Sequence, residues 1–130
     1  MTVPEASILL VEDDESLRRV VSRHLRGQGY RVEEAISAEA AVDALKAGLR
    51  PGLVLLDLNL PGDTGWDLLR RPELASAGSP PVVITSATTV SPRRLAEFKC
   101  AGYLPKPFPL ETLVATVERL LVTEEETKPA

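Results

Sequence analysis

The sequence has little that could bind a soft metal or cross a membrane. Its 130 residues include one cysteine, Cys100, and one histidine, His24. A lone cysteine excludes an internal disulfide and a cysteine metal cluster. His24 has no second histidine or cysteine beside it, so a metal role is not expected of it, and it reads as a side chain riding exposed or half-buried on a helix. No apolar run approaches the length needed to span a bilayer. Met1 to Glu5 offers neither a basic segment nor an apolar core, so no secretory leader is expected. Excess positive charge is also missing: the formal net charge is -4, which argues against direct binding of nucleic acid or of an anionic membrane surface. There is no internal repeat and no low-complexity tract. These absences together predict a cytoplasmic globular chain, long enough for one domain with a proper core.

What is present is organised around Leu53-Val54-Leu55-Leu56-Asp57-Leu58-Asn59-Leu60-Pro61-Gly62. Apolar residues run straight into a carboxylate and then into a turn, the pattern of a strand buried on both faces at the centre of a parallel sheet. Asp57 then either opens a polar loop or is held at the rim beyond the strand's carboxyl end, where open α/β sheets place ligands and chemistry.

Ser7-Ile8-Leu9-Leu10-Val11 is a second such strand and also runs into acids, Glu12-Asp13-Asp14-Glu15. A helix capped by Asp14 follows, with Leu17, Val20, Val21 and Leu25 at helical spacing and Gly27 or Gly29 as its stop. Tyr30 to Ala35 is less hydrophobic and reads as a strand nearer an edge. Ser37 caps a second helix that turns Ala41, Val42 and Leu45 inward. A third helix begins near Gly65, buries Trp66 and Leu69, and is interrupted by Pro72 ahead of an irregular turn through Ser79-Pro80. Pro81 to Ser86 is a β-branched strand. Ser91-Pro92 starts a short helix to about Phe98, with serine at the N-cap and proline at the first helical position. Gly102 to Pro105 is a brief fifth strand. Leu110, Leu113, Val114, Val117, Leu120 and Leu121 mark the best amphipathic helix of the chain. The polar, acidic stretch 123–130 reads as a disordered tail or linker stub, leaving 1–122 as the domain.

Five strands alternating with five helices predict a doubly wound, flavodoxin-like parallel sheet covered on both faces. All strand ends then share one edge. It receives Glu12 and Asp13 from the first strand, Asp57 from the third, Ser86 from the fourth and Lys106 from just after the fifth. Each has an ordinary explanation alone: acids favour helix starts, serine suits a turn, and lysine suits the surface. Their arrival at the same end of successive strands is what those explanations do not cover. Three close carboxylates repel unless something neutralises them, and oxygen-only donors suit Mg²⁺. A lysine and a hydroxyl beside them suit a phosphoryl group.

Val11-Glu12-Asp13-Asp14, Leu56 to Gly62 with Gly65, Thr85-Ser86-Ala87 and Tyr103-Leu104-Pro105-Lys106-Pro107-Phe108 stand in an order and spacing that is specific as a set. With them the chain resembles the receiver domain of two-component response regulators from about Ser7 to Val122. The resemblance implies that Asp57 takes a phosphoryl group from a sensor histidine kinase or a histidine phosphotransfer protein, and that the domain is not otherwise an enzyme. It implies Mg²⁺ on Asp13, Asp57 and the backbone carbonyl of Asn59, with Glu12 acting through water. It gives Lys106 and Ser86 to the phosphoryl oxygens, Tyr103 to a rotamer switch that follows Ser86, Ala87 to a small residue leaving room beside the acid, and a cis bond to Lys106-Pro107. An output protein or domain, not specified by the sequence, would read the change.

Some positions depart from the family's habit. Lys99 stands where a glycine is common, so the helix before it is expected to end differently. The segment from Ser86 to Tyr103 is a residue or two short, and Gly102 replaces an acid. These differences fall on the output face. Among other readings, a haloacid-dehalogenase-like phosphatase wants a second aspartate where Asn59 stands, and there is no cap domain. A flavodoxin-like cofactor binder wants a phosphate loop where the acids Glu12 to Glu15 would repel one. A receiver-like module that no longer takes phosphate stays open, although all the site residues are present.

Overall fold

A computed structural model describes residues 7–60 and 64–127, with side chains followed to Leu121. Pro61 and Gly62, which carry part of the turn expected after the third strand, lie outside the described residues. Strands β1 (Ser7–Val11), β2 (Arg31–Ala35), β3 (Leu53–Asp57), β4 (Val82–Ser86) and β5 (Gly102–Pro105) form one parallel sheet in the order β2-β1-β3-β4-β5. Helices α1 (Glu15–Gly27), α2 (Ala38–Lys46), α3 (Gly65–Leu69), α4 (Pro72–Ser76), α5 (Pro92–Glu97) and α6 (Leu110–Thr127) connect or follow them.

Alternation along the strands divides the core in two, because successive side chains point to opposite faces of a sheet. Ile8, Leu10, Leu53, Leu55 and Val83 pack with Val21 and Leu25 of α1 and Leu113 and Val117 of α6. Leu9, Val11, Val54, Leu56 and Ile84 pack with Val42 and Leu45 of α2, Leu68 of α3 and Leu74 of α4. Every residue of β3 is buried, as a strand in the middle of a sheet covered on both sides requires. β2 lies at the edge, and its exposed positions alternate with half-buried ones.

Four details differ from the expected pattern. Val20 is half exposed, not part of the inward face of α1. Polar contacts with β2 turn the helix the other way: buried Ser22 donates to Glu34 at 3.0 Å, and Arg18 pairs with the same carboxylate at 3.1 Å. In α3 the fully buried residue is Leu68, with Trp66 and Leu69 only half buried. After Pro72 the chain forms a further short helix, α4, before the turn, so the described residues hold six helices rather than five. Pro72 sits at the first position of that helix, where its missing N–H and fixed φ are tolerated. The backbone of α6 continues through residue 122 to Thr127, so the stretch expected to be a tail begins within a helix.

The winding positions the site. From β1 the chain crosses to β2 on one side, and from β3 it proceeds to β4 and β5 on the other. The loops after β1 and β3 therefore diverge and leave a crevice between them at the carboxyl edge. α3 comes close to that crevice: a Cβ on Gly65 would lie 2.9 Å from the Asp57 carbonyl oxygen and 3.0 Å from Leu58 Cα. Only glycine lets the helix start there without displacing the end of β3.

Candidate functional site

Glu12 leaves β1 with its N–H bonded to the Ala35 carbonyl at 3.0 Å. Its carbonyl accepts from Arg18 Nη1 at 3.1 Å. Held in this way Glu12 is almost completely buried, 3% exposed. Oε1 accepts from Lys106 Nζ at 2.8 Å and Oε2 from the Asp14 N–H at 3.1 Å. Asp57 is equally buried at the end of β3. Its Oδ1 accepts from the Asn59 N–H at 2.9 Å, and Oδ2 lies 3.3 Å from Lys106 Nζ. Lys106 reaches both acids because its backbone N–H is anchored on the Ser86 carbonyl at 2.8 Å. The Lys106-Pro107 bond that follows is cis.

One cation thus stands between two buried carboxylates. Asp13 is exposed and adds a third, and single oxygens of Glu12, Asp13 and Asp57 all lie within 4.8 Å of one another. Burial pushes the Glu12 carboxyl above its ordinary range, and the neighbouring Asp57 charge adds to this; the Lys106 and Asp14 hydrogen bonds oppose it without cancelling it. Burial alone would lower the Lys106 ammonium, but its hydrogen bond to Glu12 and the charges of Glu12 and Asp57 more than reverse that, so it is held above its ordinary range. Three acids against one lysine leave an excess of negative charge on oxygen donors, an arrangement that fits a small hard cation.

Ser86 is brought to the same edge but bonds elsewhere. Its hydroxyl donates to Asn59 Oδ1 at 3.0 Å, lies 2.9 Å from Thr88 Oγ1 and accepts from the Thr88 N–H at 3.0 Å. Tyr103 is half buried, and its hydroxyl donates to the Thr88 carbonyl at 3.2 Å. Thr88 was not singled out from the sequence. Its one local signal is a hydroxyl residue two places beyond Ser86, the spacing at which serine side chains bond the backbone ahead of them. Ala87 is exposed and lines, with Leu17, Val20, Lys106, Pro107 and Phe108, a groove of about 570 Å³. His24 and Cys100 are half buried.

Comparison with known proteins turns this geometry into a family. The model of the response regulator receiver domain matches residues 8–118. The chain belongs to that family. It is 40% identical over 124 residues to the DNA-binding response regulator MtrA of Mycolicibacterium smegmatis, a match covering 95% of this chain and 53% of that protein. It is 37% identical over 116 residues to the response regulator MprA of Mycolicibacterium vanbaalenii, covering 88% of this chain and 49% of that protein. The chain therefore spans about half the length of the curated relatives it matches. Among solved structures, the chemotaxis protein CheY4 of Vibrio cholerae superposes with a TM-score of 0.81 at 30% identity, covering 90% of this chain and 99% of that one. The response regulator TrrA of Thermotoga maritima, solved in complex with Mg²⁺ and BeF, gives a TM-score of 0.77 over 89% of this chain and 99% of that one; at 24% identity the likeness bears on the fold. The receiver domain is the phosphoacceptor module of two-component signalling, and the doubly wound flavodoxin-like sheet described above is its fold. Among the described residues no helix is long and apolar enough to cross a membrane.

Proposed function

We propose that Asp57 is the phosphoacceptor. The observation that carries this is the placement of its buried carboxylate at the end of β3, 3.3 Å from the Lys106 ammonium and beside the acids Glu12 and Asp13. A carboxylate oxygen of Asp57 attacks phosphorus, the bond from phosphorus to the donor's leaving atom breaks, and that atom departs with the electron pair. Phosphoryl transfer of this kind needs positioning and charge neutralisation more than covalent work from other side chains. Positioning comes from the rigid strand end. Lys106 supplies one positive charge to the phosphoryl oxygens. Mg²⁺, when bound, supplies the rest of the neutralisation; Asp13, Asp57 and the Asn59 backbone carbonyl would hold it, with Glu12 acting through water.

The donor is a phosphohistidine on a sensor histidine kinase or a histidine phosphotransfer protein, and a cytoplasmic setting follows from such a partner. Ser86 turns to the phosphoryl group, Tyr103 responds, and an output protein or domain reads the altered surface. With a net charge of -4, this domain is not itself the nucleic-acid binder. Incubation with a small-molecule phosphodonor and Mg²⁺, followed by intact-mass measurement, should show one added phosphoryl group in the parent protein and none in Asp57→Asn. Equal labelling of the two would place the acceptor elsewhere.

A further inference from the structure

The Ser86 hydroxyl has no free bonding capacity. Its single proton is given to Asn59 Oδ1 at 3.0 Å. With that proton committed, the 2.9 Å contact to Thr88 Oγ1 runs from Thr88 to Ser86, and the Thr88 N–H donates to the same oxygen at 3.0 Å. A hydroxyl offers one proton and two lone pairs, and all three are used. Ser86 is also 1% exposed, so water does not compete for it. With both lone pairs directed at Thr88 and the third tetrahedral direction taken by Cβ, the fourth, which carries the proton, is fixed toward Asn59.

A phosphoryl oxygen is an acceptor and requires that same proton. Ser86 can supply it only by moving its hydroxyl to another staggered position, which takes the oxygen away from both Thr88 donors. We propose that Thr88 is a latch on the switch: its hydroxyl holds Ser86 turned toward Asn59, and the loss of that bond is part of what the phosphoryl group must overcome. Thr88 also accepts the Tyr103 hydroxyl on its carbonyl at 3.2 Å. Thr88 therefore contacts both residues of the proposed switch, Ser86 through its hydroxyl and N–H and Tyr103 through its carbonyl. This inference rests on the reading of Ser86 as a phosphoryl ligand, and its test separates the two. Thr88 is a positioning residue here, since it bonds Ser86 and not the reacting atoms.

The probe is beryllofluoride with excess Mg²⁺, followed by fluorine NMR of the bound species. Thr88→Val removes the hydroxyl but keeps the size, the N–H and the carbonyl of an exposed residue. It should lower the beryllofluoride concentration for half saturation by about 3- to 10-fold, the factor that one neutral hydrogen bond provides. Thr88→Ser should return the parent value. In a Ser86→Ala background, Thr88→Val should change nothing, because the bond it removes is already gone. Binding by Thr88→Val equal to or weaker than the parent, a Thr88→Ser variant that behaves like valine, or an undiminished effect in the Ser86→Ala background would each overturn the latch. If Ser86→Ala binds the probe no more weakly than Thr88→Val, Ser86 is not a phosphoryl ligand and the latch falls with it. If Ser86→Ala weakens binding while Thr88→Val is neutral, only the latch falls.

Discussion

The two halves of the sheet's carboxyl edge are held by different means. Beyond β1 and β3, Glu12 and Asp57 are buried and tied to Lys106, to the Asp14 and Asn59 N–H groups and, through the Glu12 carbonyl, to Arg18. Beyond β4, the chain passes Ser86 and Thr88 into α5, a helix that buries none of its residues. Leu95 packs half buried against the core, Phe98 just beyond the helix stacks on Trp66 with ring centroids 4.8 Å apart, and the exposed Arg94 guanidinium lies 4.6 Å from the centre of the Trp66 ring. α5 then ends on Lys99 with φ at +55°, in the left-handed region. Regions with few buried apolar contacts open at low free-energy cost. The half that gathers the charges is built into the core, whereas beyond the buried Ser86 the chain leading into α5 is attached at the surface.

Lys106 gives the largest expected effect on the rigid half. Lys106→Met leaves Glu12 and Asp57 facing one another without their shared cation. Losing a charge-assisted hydrogen bond of this kind should cost about 1.5–3 kcal/mol at neutral pH. The sign of the pH dependence follows from Glu12, whose carboxyl burial already holds above its ordinary range against the pull of Lys106. Without Lys106 the shift grows. A carboxyl raised on folding costs stability once the pH passes its ordinary range, where the unfolded chain has lost a proton that the folded chain retains, and the cost is complete above the raised value. The deficit of the variant should therefore shrink as pH falls from about 7.5 toward 5. Denaturant melts of both proteins across that range check this, and a deficit that stays level or widens in acid would show that Glu12 and Lys106 are not the coupled pair.

Gly65→Ala tests the same half from its backbone. The new Cβ would meet the Asp57 carbonyl oxygen at 2.9 Å and Leu58 Cα at 3.0 Å, and backbone atoms cannot give way as a flexible side chain can. Overpacking of this kind costs about 1–3 kcal/mol, or a fall in melting temperature of roughly 4–12 °C for a domain of this size. Phosphorylation should slow as well, because the displaced atoms belong to Asp57, the proposed acceptor. A variant that melts like the parent would mean that the end of β3 is not held as tightly as the comparison requires.

Much of the rigid half was legible in the sequence. Apolar runs ending in Glu12 and Asp57 mark buried parallel strands, and a parallel sheet must collect their ends at one edge. What the residue pattern left out was how charge is distributed there: Lys106 bonds Glu12 more closely than Asp57, 2.8 Å against 3.3 Å, and that depends on the path of the loop after β5. The exposure of Val20 was hidden for a similar reason, since Glu34, distant in sequence, decides which way α1 turns through Arg18 and Ser22. The half beyond β4 was less legible. Lys99 in place of a common glycine suggested a different helix end, yet the backbone enters the left-handed region with lysine in it. Thr88 gave almost no signal because two of its three contacts use backbone atoms.

Lys99→Gly sharpens the comparison from the side of α5. A lysine in the left-handed region costs about 1–2 kcal/mol, while glycine brings an entropic penalty of roughly 0.5–1 kcal/mol. The net expectation is a gain of about 0.5–1 kcal/mol in global stability from these two terms. Hydrogen exchange should show the gain at the α5 amides, with the β1 and β3 amides following only the global change. Destabilisation, or a gain at the β1 and β3 amides with none at the α5 amides, would mean that the strain at Lys99 is not released when α5 opens by itself.

The smallest effect is expected at Asp13, and it tests whether the acids are crowded. Glu12 has Lys106 at 2.8 Å, so replacing it removes an attraction along with a repulsion. Asp13 is exposed and adds negative charge within 4.8 Å of the other two carboxylates. Asp13→Asn should therefore be the substitution that relieves repulsion most cleanly. For an exposed group the gain is a few tenths to about 1 kcal/mol in the absence of metal, and added salt should reduce it. Mg²⁺ is expected to reverse the order: an ion that binds only the folded state stabilises it in proportion to the logarithm of its concentration over its dissociation constant, and the variant would have one fewer carboxylate to offer it. Melts with chelator and in a Mg²⁺ series should therefore cross, with Asp13→Asn ahead at zero metal and the parent ahead at saturation. Parallel curves would mean that Asp13 does not face the ion, and a variant less stable than the parent without metal would mean that the three acids are not in repulsive contact.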